Sequence, residues 1–381
     1  MDALSADILM LDGAMGTMVQ ALELEEEDFR GTALADSAKD LKGNNDVLNI
    51  TQPEAIKQIH IAYLEAGADI ICTNTFNSTK VAQEDYGLGD IITDLNQEGA
   101  RIARAAVDLF SAGESSRPRF VAGVLGPTPR TASISPDVND PGARNIKFDQ
   151  LVTDYKQAAI ALIEEDVDLL MIETVFDTLN AKAATLACDL AMKETGISLP
   201  LMVSATFPDT SGRLLSGQTP EAFWHAIAHA KPLIVGSNCG RRFKEIRPFL
   251  ESLSQVATCY FGAHLNAGLP NAFGEYDETP DVMREDFNDF ANRGFLNLAG
   301  GCCGTTPDHI RAIAAGVKSA PPRRIPAPST DTHLSGLEAF SFQGKTSSTS
   351  ESAAMSQAQL VLKNSFWKIS LKRLSKLHDF R

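Results

Sequence analysis

Two cysteines, Cys302 and Cys303, stand side by side in "GGCCGTTPDHI" (residues 300–310), with glycines on both flanks. Neighbouring residues of a regular strand point to opposite faces, so two adjacent thiols can address one target only where the chain leaves the strand. Gly300, Gly301 and Gly304 permit that departure. A third thiol, Cys239, ends the apolar run "LIVGSNC" (233–239). Three thiolates form a soft donor set that suits tetrahedral Zn2+, and with three protein ligands a fourth position stays open, as in catalytic rather than structural zinc. A thiol substrate bound there would lose its proton, because a coordinated thiol is deprotonated while free cysteine titrates at ~8.5. Zinc with three thiolates is a poor Lewis acid towards water and a good holder of one more thiolate. The implied chemistry is S-alkylation.

The elements that must bring these residues together repeat along the chain. Short apolar runs occur at 8–11, 68–73, 120–125, 167–173, 201–207, 233–239, 259–265 and 295–301. Amphipathic stretches with helical spacing lie between them, such as "PEAIKQIHIAYLEAG" (53–67), "FDQLVTDYKQAAIALIEED" (148–166) and "PDVMREDFNDFANRG" (280–294). Continuous apolar strands alternating with helices imply parallel pairing with both sheet faces covered. Eight such units predict an α/β fold, a (β/α)8 TIM barrel. An open doubly wound sheet competes, but no G-x-G-x-x-G follows the first strand. Polar or glycine-rich clusters follow the strands, "DGAMGT", "TNTF", "GPT", "ETVFDT", "SNCG", "HLNAG" and "GGCCG", and in a barrel they converge on one mouth.

Other readings of the cysteines stay open at this point. The vicinal pair also fits a redox disulfide or two small buried residues. A closed four-cysteine structural zinc site is a further rival, with Cys72 at the second strand's end placed to complete it. Cys188, in "AKAATLACDLAMKE", reads as core filler, and Cys259 opens a strand and faces away from the mouth.

Composition bounds the class. The 381 residues are 44% apolar and 22% charged, as in globular proteins. The first residues, "MDALSADILMLDG", lack the basic start of a secretory signal, and no run reaches the ~18 to 20 apolar residues of a membrane span. A cytoplasmic address, reduced thiols and no transmembrane segment are the expectations. A net charge of −15 argues against nucleic acid or an anionic membrane as main partner.

"LDGAMGTMVQ", "LKGNND", "AGADIICTNTFNST", "VAGVLGPTPRTASISPDVNDP", "IETVFDTLNAKAA", "SGRLLSGQT", "NAGLPNAFGEYD" and "GGCCGTTPDHI" together resemble the homocysteine-binding module of cobalamin-dependent methionine synthase, over about residues 5–338. Betaine-homocysteine and S-methylmethionine methyltransferases share the zinc cysteines, but "TASISPDVNDP" and "GLPNAFGEYD" favour the synthase branch. The resemblance implies a barrel in which zinc, held by Cys239, Cys302 and Cys303, binds L-homocysteine as thiolate, with methylcobalamin as methyl donor. It places the substrate carboxylate on backbone amides of Asp12, Gly13 and Ala14 and the ammonium on Glu173. Asn266 matches an asparagine that approaches zinc when homocysteine is absent, and Asn74, Thr75 and Thr305 are expected to line the pocket.

The chain departs from the pattern at Cys72, where the family usually has glutamate, at Leu265, where it has proline, and in "GRRFKEIRPF" after Cys239. We expect Cys72 to lie off the metal. The expected organisation is a barrel over 1–325, a linker over 326–343, and a Ser-rich then basic tail over 344–381, disordered or a lone amphipathic helix. That tail carries net +5. It does not resemble the folate and cobalamin modules that continue the full-length synthase. Two alternatives therefore stand beside a methionine-synthase-type methyltransferase: a non-catalytic zinc or homocysteine binding fragment, and a stand-alone enzyme using S-methylmethionine or betaine.

Overall fold

Alternation with period two decides how the strands are filled. In β4 (Leu169–Val175), Leu169 and Met171 face the barrel axis with Glu173 next on the same face. The same progression from apolar to polar runs up β2 (Ile70–Cys72) from Ile70 to Cys72, and up β6 (Ile234–Asn238) from Ile234 to Asn238. Leu9, Leu11, Ile70, Ala122, Leu169, Met171, Met202, Ile234 and Leu298 thus fill the lower barrel, and Leu4 of the short helix Asp2–Ala6 packs beneath them. Polar inward residues remain only at the carboxyl ends of the strands.

The structure, a computed structural model, describes residues 2–113, 117–271, 274 and 276–342. Its eight parallel strands are β1 (Leu9–Met10), β2, β3 (Phe120–Leu125), β4, β5 (Leu201–Ala205), β6, β7 (Tyr260–Leu265) and β8 (Leu298–Gly301). Each pairs with its sequence neighbour from β2 to β8, and β1 pairs with β8. A parallel bridge between Leu11 and Ile70 joins β1 to β2. This is the (β/α)8 barrel the sequence predicts, with each apolar run supplying one strand.

A second and larger apolar layer lies between the sheet and its helices, with Phe207, Phe223, Phe261, Phe287 and Phe290 fully buried. Helices Pro53–Glu65, Pro220–Ile227, Pro280–Asn292 and Pro307–Val317 each begin on proline, whose missing N–H costs nothing in a first turn. Thr219 and Thr279 cap two of these by accepting from the amides of Ala222 and Val282.

Past the last barrel helix, Arg323 turns its guanidinium inward. It donates to the carbonyls of Ala257 (2.6 Å) and Cys259 (2.8 Å) and through Nε to Ser254 (3.0 Å), satisfying the orphan carbonyls at the end of helix Phe243–Val256. The chain falls into two compact units. The first joins residues 1–329 with 334–340. Within it, Leu337 O accepts from Thr219 N (3.0 Å) and Ser335 Oγ donates to Ala222 O (2.6 Å), so part of the stretch read as a linker rests on a helix start. The described part of the second unit is Thr330–His333 with Ser341 and Phe342, where His333 Nδ1 and Ser341 Oγ are 2.7 Å apart. The expected tail over 344–381 lies outside the described residues. Among the described residues, no helix is long and apolar enough to cross a membrane.

His60 is fully buried on helix Pro53–Glu65 with both ring nitrogens unpartnered, and burial lowers it to about 4. Its folded value lies below the ~6.5 of an unfolded histidine, so the unfolded chain binds the extra proton and stability is lost as pH falls from about 6.5 to about 4. This group contributes about 3 kcal/mol to that loss. Urea denaturation at pH 7 and pH 4.5 of the chain and of His60→Leu should show a smaller drop in the variant. Equal drops would mean that the imidazole stays neutral or finds water.

Candidate metal centre and substrate pocket

The three cysteines meet at the mouth. Cys239 Sγ lies 2.7 Å from Cys302 Sγ and 3.9 Å from Cys303 Sγ, and Cys302 and Cys303 are 3.9 Å apart. They are the only group of three metal-ligating side chains within mutual reach among the described residues. Two departures from strand geometry create the group. Cys239 takes a left-handed backbone (φ +54°), anchored by its N–H to His264 O, so it can present its sulfur beside Asn238 rather than behind it. After β8, Cys302 N–H donates to Leu265 O (2.7 Å), and the chain turns through Gly304 (φ +79°), where a Cβ would overlap the Tyr276 ring. Gly300 and Gly301 remain within β8, so the departure from the strand begins at Cys302 and not at the glycines before it.

Three sulfurs this close cannot all ionise unaided, because each thiolate raises the cost of the next. Cys303 is pulled down to about 3 by hydrogen bonds from Cys239 and Cys302. Cys302 is pushed up, first by its hydrogen bond with Cys239, then by that with Cys303 and by burial. For Cys239 the bond with Cys302 lowers, but the bond to Cys303 and burial outweigh it, so it ends high. The crowding therefore opposes ionisation at Cys239 and Cys302 and favours it at Cys303. A divalent cation would displace both protons and remove the conflict. Two of the three separations, at 3.9 Å, match the ~3.8 Å edge of a tetrahedron with ~2.3 Å metal–sulfur bonds, while Cys239 and Cys302, at 2.7 Å, would have to part to reach it; the donor set fits zinc.

A pocket of about 310 Å³ opens above the sulfurs and is lined also by Asp12, Gly13, Ala14, Cys72, Asn74 and Glu173. The turn after β1 is tightly held. Asp12 N–H donates to Ile70 O (3.0 Å), Ala14 N–H donates to Thr305 Oγ1 (3.1 Å), and Tyr63 Oη lies 3.0 Å from Ala14 O and 3.1 Å from Thr305 O. Of the three amides expected at the carboxylate, that of Gly13 alone has no partner among the described residues. A Cβ on Gly13 would lie 2.7 Å from the Tyr63 ring, so only glycine fits. Thr305 does not line the pocket. It ties the pocket's two turns together, its hydroxyl donating to Cys302 O (2.6 Å) while accepting from Ala14.

Burial raises Asp12 to about 7, although its carboxylate accepts from Cys72 N–H at 2.8 Å. Burial, then the charges of Asp12 and Glu173, push the Cys72 thiol well up. Its sulfur sits 3.9 Å from Met171 Sδ and outside the three-sulfur group. A closed four-cysteine site is therefore not what this geometry presents. Cys188 is buried in the core, and Cys259 sits at the start of β7, away from the mouth.

Glu173 projects from an irregularity in β4, where the register to β5 shifts between Ile172 and Val175 and Thr174 is left-handed (φ +57°). Its Oε2 lies 3.4 Å from His264 Nε2, a contact without hydrogen-bond geometry, since both nitrogens of the buried imidazole lack a partner. Asn74 lines the pocket and is fixed by Nδ2 to Asn45 O (2.8 Å) and Asn49 Oδ1 (3.0 Å). Thr75 points away, donating to Val124 O (2.8 Å). Asn266 is buried beside the Cys239 turn, with Nδ2 on Gly240 O (3.2 Å) and Oδ1 unpartnered.

Residues 9–317 match the homocysteine S-methyltransferase family. The chain belongs to that family. Solved structures of the homocysteine methyltransferase MmuM from Escherichia coli share the fold. The metallated form is 22% identical and the oxidized form 21%, each with a TM-score of 0.62 over 81% of this chain and 96% of that one. In this methyltransferase barrel, Asn238, His264, Tyr63 and Tyr276 also belong to the site, and no motif quoted above marks them as such. Asn238 and His264 were legible as lone polar residues at inward positions of apolar strands. Tyr63 reaches the site from a helix, and no local pattern marks it.

Tyr63→Phe should free the turn at Ala14 and Thr305 and weaken homocysteine binding by about 1 kcal/mol, roughly fivefold in Kd by calorimetry. An unchanged Kd would show that other contacts hold that turn.

Proposed function

We propose that this chain methylates the sulfur of L-homocysteine to give methionine, at zinc held by Cys239, Cys302 and Cys303. The observation that carries the reading is the convergence of three mutually frustrated thiols on a pocket whose far wall holds two acids and a free amide. Zinc at these sulfurs would supply a site for the substrate thiol and keep it deprotonated and electron-rich.

The chain's own residues do the rest. Glu173 and Asp12 face the pocket and complement the substrate ammonium, and a cation beside Asp12 favours its charged form against the burial that raises it. Gly13 N–H is the free donor for the carboxylate, next to the start of helix Met15–Gln20. An amino acid held by the ammonium and carboxylate of its α-carbon points its thiol at the sulfurs below, which converts a bimolecular encounter into an oriented one. His264 and Tyr276 wall the cleft and displace water from the nucleophile.

The donor in this reading is methylcobalamin, on the strength of the motif resemblance, presented by a module or protein that carries it. Transfer from S-methylmethionine or betaine is a second reading. A zinc-loaded barrel without turnover would be the binding fragment. The site belongs in the cytoplasm, where its thiols stay reduced.

Zinc-edge X-ray absorption with and without L-homocysteine tests the centre. Three sulfurs and one lighter atom should become four sulfurs on addition. Four sulfurs throughout would point to Cys72 and a closed site. Methionine formation measured with each of the three donors then assigns the donor. Cys302→Ser and Cys303→Ser should each lower zinc affinity at least tenfold in chelator competition. Retention of wild-type affinity by either would overturn the assignment.

A further inference from the structure

Asn238, the last residue of β6, is fully buried beside the sulfurs, and every polar atom of its side chain is engaged. Oδ1 accepts from Thr174 N–H (2.9 Å) and from Ser204 Oγ (2.8 Å). Nδ2 lies 2.8 Å from Thr174 Oγ1, 3.4 Å from Cys239 Sγ and 4.0 Å from Cys302 Sγ. The orientation of the amide is decided by chemistry. A backbone N–H can only donate, so the atom facing Thr174 N must be the oxygen, and the NH2 must face the sulfurs.

Three irregular features meet at this one side chain. Thr174 offers its amide and hydroxyl to Asn238 only because it is left-handed, within the register shift of β4. Cys239 brings its sulfur beside the same NH2 only because it too is left-handed. Non-glycine residues in that region cost of order 1–3 kcal/mol each and persist where surrounding structure enforces them. Glu173 precedes Thr174, so the hydrogen bonds that pin the bulge also set the carboxylate aimed into the pocket.

We infer that Asn238 is a positioning residue for both halves of the site: one N–H of its amide donates to the metal-binding sulfur of Cys239, with Cys302 at the edge of reach, while its other N–H and its oxygen hold Thr174 and so brace the β4 bulge that aims Glu173. The inference rests on the proposed metal site. An N–H···S bond withdraws charge from a thiolate, which offsets the crowding of three thiolates and tunes how much electron density a bound metal receives. The device differs from a ligand in that it acts through Cys239 and β4 and touches no substrate.

The test uses the full chain and Asn238→Asp, an isostere that keeps an oxygen for Thr174 N–H and Ser204 but turns a carboxylate oxygen to the sulfurs. Chelator competition should show a 10- to 100-fold loss of zinc affinity, the usual cost of removing a metal site's outer partner. With Co2+ in place of zinc, the sulfur-to-cobalt charge-transfer band should move to lower energy as the thiolates lose their donor. The homocysteine-induced change in that band should need more homocysteine. A merely structural role for Asn238 would lower thermal stability and leave the band where it is. Affinity within twofold of the parent with an unmoved band would overturn the inference, whereas a parent chain that binds neither metal would overturn the metal reading instead. Should N238D fail to fold, the parent chain labelled with 15N-asparagine and loaded with 113Cd decides the matter. A through-bond coupling between the metal and the Asn238 amide proton is expected, and its absence would refute the N–H···S bond.

Discussion

Three sulfurs within 3.9 Å of one another are an electrostatic conflict that the protein cannot settle by itself. The contacts among them favour the charged form at Cys303 and disfavour it at Cys239 and Cys302. Much of the local architecture maintains this arrangement against its natural relaxation. Cys239 is held left-handed, Gly304 accommodates Tyr276 in a conformation closed to other residues, and the Cys302 carbonyl is gripped by Thr305. Such a cluster makes physical sense as a site charged in advance for a cation, whose binding converts the conflict into coordination. The same logic explains why these cysteines lie at strand ends of a barrel. Strand ends are rigid enough to hold like groups together, and the turns beyond them can still adopt the backbone needed.

The second half of the pocket is connected to the first by hydrogen bonds rather than by adjacency in sequence. Thr305 joins the cysteine turn to Ala14, and Tyr63 fastens both to the helix behind them. Asn238 makes the corresponding link from Cys239 to the bulge that carries Glu173. The turn after β1, the sulfur face and the acidic wall are thus fixed relative to one another. A displacement at one turn is transmitted to the other because packed interiors yield little.

The fold was legible because it is written in repetition. Eight apolar runs separated by amphipathic helices admit few architectures, and the inward alternation of β4, from Leu169 through Met171 to Glu173, follows from period two alone. The sulfur cluster was legible because soft ligands and glycines at strand ends are rare in combination. Motif resemblance carried Glu173 and the Asp12 turn, which spacing alone would have left as strand-end carboxylate and connector. What stayed hidden depends on tertiary geometry. The sequence shows Asn238 next to Cys239, but strand alternation would send them to opposite faces, and only φ +54° at Cys239 reverses that. The amides expected at the substrate carboxylate are a similar case. Nothing local shows that Ile70 and Thr305 already occupy those of Asp12 and Ala14.

Cys72 puts a neutral group in the acidic wall of the pocket. The motif resemblance implies that a glutamate usually stands there, which would add a carboxylate to a wall that already contains Asp12 and Glu173. The thiol does not replace that charge, because burial and the two neighbouring acids keep it protonated. It also does not join the metal group, since its sulfur is turned to Met171. What remains is two acids facing the pocket, with Asp12 raised to about 7 by burial. A cationic group entering the pocket draws Asp12 to its charged form, and an empty pocket lets it keep a proton, so the acid left in excess need not stand as an unpaired buried charge. The remaining Cys72 backbone N–H still donates to Asp12, which keeps the carboxylate oriented whichever form it takes.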